Sequence, residues 1–349
     1  MKVSYVTGSP VPEKSGYGKY ALTVLRELKS TPGLQVKEIR SHVPVDFPYR
    51  NVLLDFSVTP VKTLVSARGA ITHASSQGLA FLGLLGVRPF VVTAYDAIPF
   101  ALGEERKSPA KQAIIRLMAA GLNQADAIIT ISEFSRRELS RLVGLDRRRI
   151  FVAYPGVDRA VFRPGREKRD LNTVLYVGSE QPRKNTGVLL EAFAMAKRRR
   201  PGLKLLKVGV PQWRTGRGDF LAKARELGVQ DSISFVEGVS EGRLASIYRS
   251  AGVLVFPSTY EGFGLPPLEA MACGLPVVCS SAASLPEVVG NAAITHKPAD
   301  ADAFAAGILE VLCDKRAWSR RSKAGVERAK RFTWKRAAEE TVKVYKSLE

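Results

Sequence analysis

Apolar residues in this chain fall into short, nearly unbroken runs, separated by longer stretches in which they recur every three or four positions. The first half opens on the run "KVSYVTGS", followed by the loop "PVPEKSGYGKY" and the amphipathic stretch "YALTVLRELKS". The runs "NVLLDFSV", "AITHA", "FVVTAYD" and "AIITIS" come next, with helical segments between them. Continuous apolar runs bounded by turn residues predict buried parallel strands, and the intervening spacing predicts helices. A shorter run, "RIFVAYPGVD", leads into "RPGREKRDLN" at 163–172, whose polarity and Pro-Gly content predict a linker.

The alternation then restarts. Strand-like "TVLYVGS", "LKLLKVG", "ISFVEGV", "GVLVFPS" and "PVVCSS" interleave with helix-like "TGVLLEAFAMAKRRR", "GDFLAKARELG", "EGRLASIYRSA" and "LPPLEAMACG". After Thr295 the pattern turns helical to the end. Two successive strand–helix series predict two doubly wound α/β domains, each on a parallel sheet, at 1–165 and 166–333. The terminal helix, 334–349, is expected to pack back on the first. At 349 residues the chain is also too long for one ordinary core. Ligands bind at the carboxyl ends of strands in such sheets, so a cleft between the domains is the expected site.

Composition narrows the function classes. The apolar share is 45% and the charged share 25%, which is globular and not disordered. No run approaches the ~18 apolar residues of a membrane span, and "MKVSYVTGSPVPEK" lacks a signal-peptide layout. Cys273, Cys279 and Cys313 have no metal-ligand spacing, so a cytoplasmic location is the simplest expectation. Net charge is +20, with 26 Lys+Arg against 15 Asp+Glu in residues 1–170 and 27 against 18 in the rest. The excess is therefore spread over both halves. Nucleic acid, anionic lipid and phosphorylated small molecules are all candidate partners, beside a merely solvated cationic surface.

Candidate chemistry concentrates in "FPSTYEGFGLPPLEAMACGLPVV", 256–278. Glu261 follows a strand at its carboxyl end, Gly262 and Gly264 allow close backbone approach, and Pro266 or Pro267 suits a first helical turn. Glu269 would then lie early in that helix, where a helix start favours anions. The alternative for Glu269 is simple complementation of the helix dipole. In "YVGSEQPRKN", Arg183, Lys184 and Asn185 also lie between strand and helix, and two cations there suit a diphosphate. The N-terminal "SGYGKY" places Gly16 and Gly18 in a similar position, without the dinucleotide-binding spacing.

The order of "SGYGKY", "VGSEQPRKN" and "YEGFGLPPLEAMACGLPVV" resembles the retaining glycosyltransferases of family 4, over essentially the whole chain. The E-x7-E element from Glu261 to Glu269 is its most specific part. The resemblance implies the GT-B fold: two Rossmann-like, doubly wound parallel-sheet domains facing a central cleft. It also implies transfer of a hexose, with retention, from a nucleotide-sugar of GDP-mannose or UDP-hexose type to a glycan or lipid-linked acceptor. By the same resemblance Glu269 meets the donor ribose and Glu261 the sugar hydroxyls. The backbone of Gly262, Phe263, Gly264 and Leu265 contacts sugar and diphosphate. Lys184 and Arg183 offset the leaving diphosphate, Gly16 lies beneath the phosphates, and Val239 meets the nucleobase. Acceptor-side candidates are Gly18, His73, Tyr95 and Asp96. The chain departs from the family at Tyr95 and Ser75, where relatives carry histidines, and at Ser179, where they carry arginine.

An Asp300-Ala301-Asp302 triplet resembles a metal motif, but it opens a helix and is expected to cap it, so no obligatory metal or other cofactor is expected. The stretch 104–122 gathers Arg106, Lys107, Lys111 and Arg116 beside Ile114, Ile115, Leu117 and Met118. That composition suits either peripheral docking on the inner face of an anionic membrane or an ordinary helix with a basic outer face. Rival functions are a GT-B epimerase or phosphorylase, and a non-catalytic basic protein binding nucleic acid or membrane. Dispersed charge and the lack of a basic-aromatic motif argue against nucleic acid.

Overall fold

A computed structural model describes residues 1–8, 15–41, 57–66, 69–102, 108–211 and 216–349. The chain divides into two compact units, Met1–Gly156 with Thr333–Glu349, and Val157–Phe332. Each is built on a six-stranded, all-parallel sheet.

In the first unit the strands are β1 (Lys2–Gly8), β2 (Gln35–Arg40), β3 (Ile71–Ala74), β4 (Phe90–Thr93), β5 (Ala127–Thr130) and β6 (Ile150–Val152), in the order β2-β1-β3-β4-β5-β6. Strands β3, β4 and β5 are buried at every residue, as parallel strands covered on both faces must be. The run "NVLLDFSV" lies mostly outside the described residues; Val58 begins a helix, Val58–Ser66, that packs on β1 and β2. The last helix, Trp334–Lys346, packs on Gly16–Lys29, with the rings of Tyr20 and Trp334 5.8 Å apart.

In the second unit β7 (Thr173–Val177), β8 (Lys204–Val208), β9 (Ile233–Val236), β10 (Val253–Phe256), β11 (Val277–Ser280) and β12 (Ile294–His296) run in the order β12-β11-β10-β7-β8-β9. The order reverses between β7 and β10. At such a switch point the loops leave in opposite directions and open a crevice above the strand ends.

The division at Gly156 precedes the expected 165/166 boundary. Phe162 is fully buried, with its ring 6.1 Å from that of Tyr248, so the chain is already committed to the second unit there. The polar stretch 163–172 is likewise a packed strap and not a free linker. Glu167 pairs with Arg249 at 2.6 Å, and the Arg169 guanidinium lies 4.4 Å over the Trp318 ring. The chain crosses between units a second time at Phe332–Thr333. Gly156 sits so close to the returning chain that a Cβ there would lie 2.1 Å from the backbone nitrogen of Trp334.

Candidate active site

Three ionisable side chains meet at the β7/β10 switch point. Arg183 and Lys184 occupy a 3-10 turn, Pro182–Lys184, beyond the end of β7. Asn185 closes the turn in the left-handed region at φ 56° and leads into the helix Thr186–Arg199. Its side-chain amide donates to the carbonyls of Pro257 at 3.2 Å and Pro298 at 2.7 Å. From the β10 side, the Thr259 N–H donates to the Arg183 carbonyl at 2.8 Å. The two strand-end loops are thereby stitched together.

Glu261 points into that joint. Its Oε1 accepts from Lys184 Nζ at 2.7 Å and its Oε2 from Arg183 Nη1 at 3.1 Å. Arg183 Nη1 also donates to the Tyr260 carbonyl at 3.1 Å, and the Lys184 ammonium stands 5.3 Å from the centre of the Phe256 ring. The side chains of Arg183, Lys184 and Glu261 are 19, 12 and 9% exposed, so the cluster is nearly desolvated. Burial by itself raises the Glu261 carboxyl, but the ammonium and guanidinium outweigh it and hold the group below the ordinary glutamate value. Two cations against one carboxylate leave a net positive charge at the switch point, which suits an anion with more charge than Glu261 carries.

The knuckle after Glu261 is fixed from beneath. Ser284 Oγ bonds the carbonyls of Glu261 and Phe263 at 2.9 and 2.8 Å, and the Phe263 ring packs edge-on against Phe332. Gly264 has φ 114°, and a Cβ there would meet Leu285 Cδ2 at 2.7 Å, so glycine is required on both counts. The helix Leu265–Ala272 starts immediately afterwards, with Pro266 and Pro267 in its first turn. Proline has no N–H. The helix start therefore offers fewer amides than usual. Glu269 lies beyond the first turn, where the helix dipole no longer rewards an acid. It is buried and accepts from the Tyr248 hydroxyl at 3.2 Å. Val239 follows β9, with β7 and β8 standing between that strand and β10.

In the first unit, Ser15 caps the helix Gly16–Lys29 by accepting from the Gly18 N–H at 3.1 Å. Neither Gly16 nor Gly18 has positive φ, and the preceding residues 9–14 lie outside the described set. His73 is buried at β3, with Nδ1 2.5 Å from the Tyr345 hydroxyl and Nε2 2.8 Å from Thr93 Oγ1. Both ring nitrogens are used inside the core, and burial pushes the imidazole down to about 3. This gives His73 a packing role and leaves it no nitrogen for an acceptor. The Tyr95 hydroxyl donates to the Ser75 carbonyl at 2.6 Å, and the Tyr17 and Tyr95 rings lie 6.0 Å apart. Asp96 is half-buried and accepts from the Ile98 N–H at 2.9 Å. Asp300 caps its helix through the Ala303 N–H, as its position suggested, and Asp302 is exposed. Arg106 and Lys107 lie outside the described residues.

Ser284, Thr259 and Tyr248 carry no motif and became visible only through these contacts. The same holds for a buried pair next to the site: Glu180, in the loop after β7, accepts on Oε1 from Lys207 of β8 at 2.8 Å and from Arg217 Nε at 2.7 Å. Arg217 lies over the Phe235 ring and also binds Glu237.

Comparison with known proteins bears on the family and the fold. Residues 158–331 match the family described as glycosyl transferases group 1, and residues 17–161 match glycosyltransferase family 4. The chain is similar to O-antigen chain mannosyltransferase B of Escherichia coli, 35% identical over 74% of this chain and 70% of that protein. It is also similar to a D-inositol 3-phosphate glycosyltransferase of Segniliparus rotundus, 30% identical over 75% of this chain and 62% of that one. Among solved structures, sucrose-phosphate synthase from Thermosynechococcus elongatus superposes with a TM-score of 0.78 at 23% identity, covering 99% of this chain and 98% of that one. HepE from Anabaena, solved with UDP-glucose, gives 0.78 at 18% identity, covering all of both chains. The fold is GT-B, and the chain belongs to the glycosyl transferases group 1 family and is a glycosyltransferase.

Proposed function

We propose that this protein moves a hexose, with retention, from a nucleotide-sugar to a glycan or lipid-linked acceptor. The observation that carries the reading is the pairing of Glu261 with Arg183 and Lys184 at the sheet's switch point. Two fixed, nearly desolvated cations there meet the demand of the reaction, which is to accept charge on a departing diphosphate. The acceptor hydroxyl oxygen bonds to the anomeric carbon as the bond from that carbon to the diphosphate breaks. The electron pair leaves with the diphosphate, beside Lys184 and Arg183, and the hydroxyl proton passes to a phosphate oxygen on the same face. Amides of Gly262, Phe263, Gly264 and Leu265 face sugar and phosphate, Glu261 takes sugar hydroxyls, and Glu269 takes the ribose. Gly16 lies under the phosphates and Val239 against the base. Charge neutralisation by these side chains makes a metal dispensable.

A screen of GDP-, UDP-, ADP- and TDP-sugars for slow hydrolysis tests this reading. A single accepted nucleotide, with affinity lost in Glu269→Ala, is the expected result. Unchanged donor affinity in that variant removes the site assignment. An enzyme that interconverts sugars of the donor with no acceptor present would be an epimerase instead.

The acceptor side carries a second, finer proposal, docking on the inner face of an anionic membrane. The helix Pro109–Gln124 contains no acidic residue, and Lys111, Ile114 and Arg116 on it are exposed. It packs against the 3-10 segment Gln77–Leu85, where Leu84 and Leu85 are also exposed. Exposed apolar and cationic groups on two packed elements suit an anionic lipid surface. Among the described residues no helix is long and apolar enough to cross a membrane. Flotation with anionic but not neutral liposomes is expected, and no flotation with either removes this proposal.

A further inference from the structure

We propose that Glu261 selects the intact nucleotide-sugar over the sugar-free nucleotide, by competing with the diphosphate for Arg183 and Lys184. The inference rests on the donor-site reading above. Both oxygens of Glu261 are engaged, one by each cation, at 2.7 and 3.1 Å. A diphosphate that takes these cations must displace the carboxylate from them. Glu261 is 7% exposed, so in this arrangement its charge is balanced by the two cations and little by solvent. A buried carboxylate deprived of its partners is strongly destabilising unless new donors arrive.

The two forms of the nucleotide differ in what they bring. A hexose attached to the diphosphate carries several hydroxyl donors into the space beside Glu261. The free nucleoside diphosphate carries none there. The displaced carboxylate is therefore better satisfied by the fixed hydroxyls of the nucleotide-sugar than with the nucleotide alone, which leaves it to Ser258 and to whatever water enters the sugar's place. The two cations that keep the carboxyl ionised also make it an effective competitor. In a reaction cycle the same competition works twice. It disfavours entry of a spent nucleotide, and it reclaims the cations once the sugar has moved on, which speeds product departure.

The test compares dissociation constants by calorimetry for GDP and GDP-mannose, and for UDP and UDP-glucose, without acceptor. In wild type the sugar conjugate of the accepted nucleotide binds more tightly than the bare diphosphate. In Glu261→Gln the bare diphosphate is expected to bind about tenfold more tightly, because the charged competitor for two charge-assisted contacts is gone. The ratio between the two forms then falls toward one. Glu261→Asp keeps the charge but shortens the reach by one methylene, and shifts the ratio in the same direction by less. It serves if the glutamine variant does not fold. Bare diphosphate binding no tighter in either variant than in wild type overturns the proposal. Failure of wild type to bind any of the GDP-, UDP-, ADP- and TDP-sugars of the donor screen defeats the donor-site reading instead, and the proposal with it. Product inhibition of turnover is expected to strengthen in both variants.

Discussion

The Lys207 ammonium lies 2.8 Å from the Glu180 carboxylate, and neither side chain reaches solvent. Burial pulls the Lys207 ammonium below its ordinary range while the Glu180 carboxylate pushes the other way. Removing Glu180 strands the buried Lys207, at a cost of about 3–5 kcal/mol, whereas removing Lys207 leaves Glu180 its contact with Arg217. Glu180→Leu alone is thus expected to destabilise strongly, and Glu180→Leu with Lys207→Met to recover part of the loss, because the partly exposed Arg217 loses Glu180 but keeps Glu237. A double-mutant cycle in urea checks this; additive losses would show that the pair is not coupled.

Lys184 makes the shorter of the two contacts to Glu261, and the proposed function puts it where charge develops on the leaving group. Lys184→Met keeps the stem and deletes the charge. The expected drop in kcat is about 100-fold or more, by analogy with removal of one transition-state donor. Arg183 still holds Glu261, so the thermal midpoint should move far less than the rate. Retention of more than about a tenth of wild-type kcat would exclude Lys184 from the chemistry.

His73 makes stability depend on pH. Its folded value, about 3, lies below the ordinary 6.5, so between those limits the unfolded chain binds a proton that the folded chain refuses. Stability therefore falls as pH drops below about 6.5, by up to ~1.4 kcal/mol per pH unit from this group. Glu261, depressed below 4.5, adds its own loss only at lower pH. His73→Gln should flatten the thermal midpoint between pH 6.5 and 4.5, measured against wild type. An unchanged slope would mean that another group sets it.

The cysteines should separate by reactivity. Burial pushes the Cys273 and Cys279 thiols up to about 12, while Cys313 is exposed at the end of its helix. Thiolate is the reactive form. A disulfide reagent is expected to consume Cys313 rapidly and the other two only on unfolding, and Cys313→Ser should abolish the fast phase.

The interior strands were legible because they are buried on both faces and so read as continuous apolar runs. The strands without such a run, β2 and β12, are sheet edges. In β2 the sequence "QVKEIR" mixes polar and apolar positions, four of them charged or amide-bearing, and only Ile39 is fully buried. In β12 the three residues "ITH" are too short to register as a period. At the site, Glu261, Glu269, Arg183 and Lys184 stood out because glycine, proline and charge cluster locally around them. Their mutual pairing did not, since 78 positions separate Arg183 from Glu261 and only the strand order closes that distance. Lys207 gave the opposite signal. A lysine inside "LKLLKVG" reads as an exposed position, and its burial depends on Glu180 across the neighbouring strand's loop.

The double crossing at Gly156 and Phe332 makes the second unit, topologically, an insert within the first. A single cut cannot liberate both halves intact. Excising 157–332 as one piece keeps every strand of its sheet and all of Arg183, Lys184, Glu261 and Glu269. A fragment ending at 156, by contrast, forfeits Trp334 and Tyr345, and with Tyr345 the hydroxyl that holds His73. The last turns of the chain are therefore not a dispensable tail: the first unit is complete only after the ribosome has made the second.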